Sequence, residues 1–150
     1  MTLEQALKTN KFRSWKHKAG LNIMYSAYWL KQHSNELLKS FGLTHEQYNV
    51  LRILKGSYPQ QMCVRDIACR MIERSSNVPR IIDRLETKKL VKRSISPEDK
   101  RETLVALQQP GINMLEIVSP KLEGLYDDWV GIDEQEAEVI NTLLEKMRKS

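Results

Sequence analysis

Apolar residues recur at intervals of three and four along most of this chain, switch to alternation after Leu90, and return to the helical interval after Gln109. Leu21, Tyr25, Tyr28, Leu37, Leu38 and Phe41 predict one long helix over residues 16–41, which Gly42 stops. Thr44 and Gln47 have the spacing of a capping box, and Leu43 with Tyr48 that of a hydrophobic staple, so a second helix begins there and ends at Gly56. Residues 57–61, containing Pro59, read as a loop; Val64, Ile67, Ala68, Met71 and Ile72 then predict a short amphipathic helix leading to Ser75. Val78, Ile81, Ile82 and Leu85 form the stripe of another. Val91, Arg93 and Ile95 alternate with Lys92, Ser94 and Ser96, and residues 104–107 form a second apolar run, which predicts a hairpin with Pro97, Glu98 and Asp99 in its turn. Pro110 falls in the first turn of a helix carrying Ile112, Leu115, Leu122, Leu125 and Trp129, with Pro120 expected to kink it. Asp133 with Glu136 caps a last helix striped by Ala137, Ile140, Leu143, Leu144 and Met147.

The polar positions give this order a purpose. Opposite the stripe of the helix that follows Ser75 lie Ser76, Asn77, Arg80, Arg84 and Thr87, short hydrogen-bonding groups mixed with guanidiniums, a set suited to base edges and phosphates. Ser75, Ser76, Asn77 and Arg80 occupy its N-terminal half, where helix-turn-helix proteins make such contacts. Ser75 or Ser76 is the expected N-cap, and each is also a candidate base contact. Arg80 and Arg84 suit phosphate, whereas Arg74 and Lys88 read as solvated. Lys100 and Arg101 put two positive charges at the hairpin tip; a guanidinium fits a narrow, electronegative minor groove, and Asp99 is placed to brace Arg101. A long helix, three shorter ones, a hairpin and two long helices therefore make a mainly α fold with a small two-stranded β wing: a winged helix-turn-helix framed by helices at both chain ends.

With 150 residues, of which 41% are hydrophobic, the chain suits a single domain with a real core. The net charge of +5 is unevenly spread: residues 1–61 carry nine Lys/Arg against three Asp/Glu, residues 62–108 eleven against seven, and residues 109–150 four against nine. The basic two-thirds suit a polyanion, and the acidic third suits packing on another protein surface, although such runs also occur as plain solvated faces. No apolar run approaches membrane-spanning length and the basic N-terminus lacks a signal-peptide core, so the expected location is the cytoplasm, with no membrane partner. Cys63 and Cys69 make neither a disulfide framework nor a zinc signature and read as reduced core thiols. His33 and His45 lack a cluster of carboxylates or thiolates, so no metal or other cofactor is expected. No phosphate-binding glycine loop, nucleophile elbow or metal-ligand motif speaks for an enzyme. The competing reading is a winged-helix protein-protein interaction module without specific DNA binding, which has no need of Arg80, Arg84, Lys100 and Arg101 all facing outward.

Two passages resemble the MarR family of bacterial transcriptional regulators. The run RIIDRLETKKLVKR, from Arg80 to Arg93, is similar to the family's R-hydrophobic-hydrophobic-x-x-L-E-x-x-G-L-V-x-R pattern. Asp99-Lys100-Arg101 resembles its Asp-x-Arg wing signature and leads through an apolar strand to Gly111. The resemblance covers nearly the whole chain and implies a homodimer with interleaved terminal helices. Residues 16–41 and 110–149 would be the dimerisation helices, and residues 44–108 a DNA-binding lobe, all in one domain. Each subunit would place one helix in a major groove of double-stranded DNA and one wing tip near the adjacent minor groove, in most members as a repressor at a near-palindromic promoter site. Pro79 departs from the family, where many members carry a DNA-contacting threonine, and Lys89 replaces a glycine, which suggests a different helix ending. Family members often bind a small aromatic ligand between the dimer helices and the DNA-binding lobe. Trp15, His17, Tyr25, Tyr28 and Trp29 are the candidate lining here, with a core or dimer-interface stripe as the alternative. The stretch Leu21 to Tyr28 holds Met24 and no cysteine, so the family's peroxide-sensing variant is not supported.

Overall fold

Two helix starts carry the capping boxes that the spacing announces, and the long helix has a cap of its own. The computed structural model describes residues 1–129 and 131–148. The side chain of Trp129 and the whole of Lys149, both assigned above to helices, lie outside the described residues. The Ser14 hydroxyl accepts from the His17 amide at 3.1 Å and opens α2, Trp15–Ser40. Gly42, at φ +70°, closes it, with the Leu43 amide returning to the Leu38 carbonyl at 3.0 Å. The Thr44–Gln47 box, with its two hydrogen bonds at 3.1 and 3.2 Å, opens α3, His45–Ser57. Asp133 and Glu136 do the same for α7, Glu134–Arg148, at 2.8 and 3.0 Å. An unexpected short helix, α1, Leu3–Leu7, precedes them with a Thr2–Gln5 box, and its Leu3 is buried.

The winged-helix lobe runs α3, β1 (Met62–Cys63), α4 (Val64–Arg70), α5 (Val78–Thr87), β2 (Val91–Ile95) and β3 (Thr103–Leu107), and α6 (Gln109–Trp129) leads out of it. The hairpin β2–β3 pairs Val91 with Leu107 and Arg93 with Val105. The sheet has three strands rather than two, in the order β1-β3-β2, because Met62 and Cys63 pair antiparallel with Val105 and Leu104. A strand of two residues is too short to leave a periodic signal.

Leu51, Leu54, Ile67, Ile82, Leu85 and Val105 have essentially no exposed surface, and with Leu38, Val118 and Leu122 they join α2, the lobe and α6 into one core. Tyr48 and Ser119 share a buried hydrogen bond at 2.9 Å between α3 and α6. Gly111 lets α6 start hard against the lobe, since a Cβ there would strike the Leu90 carbonyl and come within 2.8 Å of Leu107. Pro110 sits in the first turn of α6, and the helix continues through Pro120.

Two expectations about the core need correction. Helix α4 ends at Arg70, two residues before Ile72: Met71 turns extended and is the last apolar residue inserted into the core, while Ile72 is 77% exposed, its amide held by Asn49 Oδ1 at 3.0 Å. The chain has to leave the core there to reach the start of α5. Cys63 is buried as expected, but Cys69 is exposed, because it falls on the outer side of the short α4. In β2 only Val91 is buried, and Ile95 is 68% exposed, since the hairpin projects past the core.

Lys89 does not change the helix ending. It adopts φ +60°, its amide bonds the Glu86 carbonyl at 2.8 Å, and the Leu90 amide bonds the Leu85 carbonyl at 3.0 Å. This is the pair of bonds that a glycine in the left-handed conformation makes at a helix end. The lysine side chain makes that conformation costly without preventing it, because the buried Leu90 and Val91 on its far side hold the chain in place. Lys89→Gly is therefore expected to raise stability by about 1 kcal/mol in urea denaturation. A loss of stability would show that the left-handed conformation at Lys89 is not strained.

Candidate nucleic-acid interface

Helix α5 begins not at Ser75 or Ser76 but at Asn77, whose Oδ1 accepts from the Arg80 amide at 3.2 Å. Pro79 then falls in the first turn, where an amide has no helical partner to lose. Val78, Ile82 and Leu85 are buried, so Arg80, Asp83, Arg84 and Thr87 face solvent. No ion pair engages Arg80 or Arg84 among the described residues. Ser75 is exposed. Ser76 is half-buried, and its hydroxyl points inward without a hydrogen-bond partner among the described residues, in a cavity of about 290 Å³ bordered by Thr44, Gln47, Asn77 and Arg80. Both serines thus lie in the turn ahead of the helix, displaced from its cap by an asparagine that fills the same role two or one residues later.

The wing tip is built around one carboxylate. Asp99 accepts from the Arg101 backbone amide and from Nε, each at 3.0 Å, and from Nη2 at 3.2 Å. The Ser96 hydroxyl accepts from the Asp99 amide at 3.3 Å, anchoring the turn to a buried residue. The Arg101 guanidinium and amide hold the Asp99 carboxyl below its ordinary pKa, and that carboxylate in turn raises Arg101 above its own. Asp99 therefore braces Arg101 as expected from the sequence, and leaves 91% of the arginine side chain exposed, beside an exposed Lys100.

A second joint, not anticipated from the sequence, ties wing to helix. The Arg93 amide in β2 donates to Glu86 at 2.6 Å, Nε and Nη2 donate to the same carboxylate at 3.2 and 3.1 Å, and Nη1 pairs with Asp83. The Arg93 amide and guanidinium hold the Glu86 carboxyl below its ordinary pKa. Glu86 is the second acidic residue and Arg93 the last basic residue of the run quoted above, so their seven-residue separation across the Lys89 turn was the available signal. Nor are Lys88 and Arg74 solvated only. Lys88 reaches the Gly42 carbonyl and Gln47 Oε1, the latter at 3.1 Å, and Arg74 donates to the Cys69 carbonyl. Lys31 of α2 joins Glu73 at 2.7 Å and Glu46 at 2.9 Å, linking the long helix to the turn before α5; those carboxylates, Glu73 first, raise its pKa.

The aromatic residues of α2 are not gathered in one chain. Trp15 and Trp29 are fourteen residues apart, about 21 Å along a helix. Trp15 is 82% and Tyr28 59% exposed, and His17 is exposed at the helix start. Tyr25 is half-buried with its hydroxyl beside the Met1 sulfur, and Trp29 lies against the His33 ring at 4.6 Å.

A helix with an outward polar face, followed after a rigid turn by a cationic wing, defines a winged helix-turn-helix DNA-binding protein. The MarR family model matches residues 43–103, which span the lobe from the start of α3 into β3. The chain is 27% identical over 121 residues to the HTH-type transcriptional regulator MhqR of Bacillus subtilis (strain 168), covering 79% of this chain and 81% of that one. It is 27% identical over 126 residues to the HTH-type transcriptional repressor IacR of Pseudomonas putida, covering 79% and 74%. It superposes on the structure of the S. aureus MepR-DNA complex with a TM-score of 0.76 at 26% identity, over 91% of this chain and 97% of that one. The chain is thus similar to the MarR family of transcriptional regulators, by the family model over its winged-helix lobe and by these relatives over most of its length.

If the Glu86–Arg93 joint sets the wing's angle, Glu86→Ala should speed hydrogen exchange at the Arg93 amide while the amides of Leu54 and Ile82 stay protected. Unchanged exchange at Arg93 would mean that strand pairing alone holds the wing.

Proposed function

We propose that this regulator works as a homodimeric repressor. Each subunit lays α5 in a major groove of a near-palindromic promoter site and sets Lys100 and Arg101 near the adjacent minor groove, with half-sites about one helical turn apart. Ser75, Asn77, Arg80 and Arg84 make the helix contacts, Ser76 after its hydroxyl turns outward. The observation that carries this reading is that Pro79 of α5 and Arg101 of the wing border one cleft, so the N-terminal half of the helix and the wing tip address the same ligand. The MepR-DNA complex, to which this fold is similar, and the designation of IacR as a repressor support the same reading. The chemistry is binding alone, with no catalytic step.

The dimer rests on α7. Val139, Ile140, Leu143 and Met147 are each more than two-fifths exposed, and the helix buries no residue in its own chain. An apolar stripe of this kind needs a partner, and a second copy supplies one by symmetry. Trp15, Tyr28 and Met24 of α2, with Ile117 and Tyr126 of α6, extend the uncovered apolar surface. In such a dimer, Trp15, His17, Tyr25, Tyr28 and Trp29 of the two copies would be the residues available to border a cavity for a small aromatic ligand, whose binding changes the separation of the two α5 helices and releases the DNA.

Band-shift titration at about physiological salt is expected to show specific binding to DNA upstream of the chain's own gene, at least a thousandfold tighter than to random duplex. Equal affinities would favour a protein-interaction module instead. Arg101→Ala should weaken specific binding by roughly ten- to a hundredfold, and full affinity in that variant would make the wing dispensable. Truncation before Asp133 should give a monomer in sedimentation and lose tight binding; a truncated chain that stays dimeric would remove α7 from the interface.

A further inference from the structure

Between α5 and the wing lies a cleft of about 400 Å³, with Arg65, Arg93 and Arg101 on its rim, Val64 and Pro79 on its walls, and Glu102 as its carboxylate. The three arginines are differently committed. Arg93 is fixed by two carboxylates, Glu86 and Asp83. Arg101 is gripped by Asp99 through both Nε and Nη2 and points out along the wing tip. Arg65, the second residue of α4, makes one ion pair among the described residues, Nη2 to Glu102 Oε1 at 3.3 Å, and 79% of its side chain is exposed. A guanidinium has five donors, so Arg65 keeps most of its capacity unused and gives up little in leaving Glu102.

The position of this cleft matters more than its size. In B-form DNA a major groove and the adjacent minor groove are separated by the sugar-phosphate backbone of one strand. A protein with α5 in the first groove and the wing in the second must straddle that backbone, and the surface between helix and wing is the cleft. We propose that the cleft seats a backbone phosphate and that Arg65 is its ligand, released from Glu102 when DNA binds. This rests on the docking proposed above. A phosphate diester carries one negative charge and accepts two parallel N–H bonds from a guanidinium, so it can give Arg65 the paired contact that its single 3.3 Å bond to Glu102 does not. Glu102 is then the competitor: it holds Arg65 in the free protein and repels the phosphate that displaces it. The field of Arg65 also reaches Asp99, which places it within the electrostatic group of the wing tip.

This arrangement predicts opposite signs for the two halves of one ion pair. Full-length protein is titrated by fluorescence anisotropy against two labelled duplexes, one selected by the protein from a randomised pool and one of mixed sequence, over a range of salt. Arg65→Ala should weaken binding to both by roughly tenfold and reduce the slope of log K against log salt by about one, as the loss of one sequence-independent phosphate contact does. Glu102→Gln should strengthen binding to both severalfold. If Arg65 and Glu102 are only a strut between α4 and the wing, the two variants will weaken binding alike and leave the slope unchanged, and the inference falls. It falls too if Arg65→Ala binds as the wild type does, while specific wild-type binding leaves the regulator reading intact. Wild-type protein that binds neither duplex overturns both. Thermal melts check that the variants stay folded, which the exposure of Arg65 leads one to expect.

Discussion

Val78, Ile82 and Leu85 occupy one stripe of a ten-residue helix, and all three are driven into the core shared by α3, α4, the sheet and α6. That burial decides the rest, because a helix with a single apolar stripe has no choice about which way its other face points. Arg80, Arg84 and Thr87 are turned outward by the insertion of Ile82 and Leu85, with no need for contacts of their own. The same insertion fixes where the chain leaves the helix: Leu90 and Val91, also buried, pull Lys89 into a left-handed turn, and the wing starts from there. The outward face of α5 and the wing are thus two consequences of one inward packing event.

Electrostatics refines what packing sets up. The outward cations divide into those held by carboxylates and those left to solvent. Arg93 is committed to Glu86 and Asp83 and acts as a hinge pin between helix and wing; Arg101 is aimed by Asp99; Arg80 and Arg84 have no such partner among the described residues. The carboxyls of Asp99 and Glu86 both sit below their ordinary pKa because arginine amides and guanidiniums bond them. For a depressed carboxyl the ordering contribution is present above the ordinary carboxylate range and is lost only as pH falls through the lowered value, so both clamps persist at neutral and mildly acid pH. These pairs lie at the surface, and their role is to limit geometry more than to add stability.

Much of the architecture was legible from spacing. The long helix expected over 16–41 is Trp15–Ser40, the Thr44–Gln47 and Asp133–Glu136 boxes are formed, and the hairpin strands fall where alternation put them. Three of the misreadings share a cause, which is competition among residues of similar chemistry. Ser75, Ser76 and Asn77 are all good caps, and only the packing of Val78 selects Asn77. Met71 and Ile72 are equally apolar, and only the path from α4 to α5 decides that Met71 goes in and Ile72 stays out. Cys63 and Cys69 look alike in sequence and part company because one lies on a strand under the wing and the other on the outer side of a seven-residue helix.

The sequence by itself determined the parts and their order, because helical and alternating periods, capping boxes and turn residues are local physics acting within a few positions. It also carried the chemistry of the proposed interface, in Arg80, Arg84, Lys100 and the Asp99–Arg101 pair. Only the tertiary structure decided which cations are free and which are bound, since Arg93 meets Glu86 and Asp83, Lys88 meets Gln47, and Arg65 meets Glu102 across separations that no period encodes. The left-handed turn at Lys89 was decided in the same way, by buried residues on either side imposing a conformation that the lysine itself disfavours.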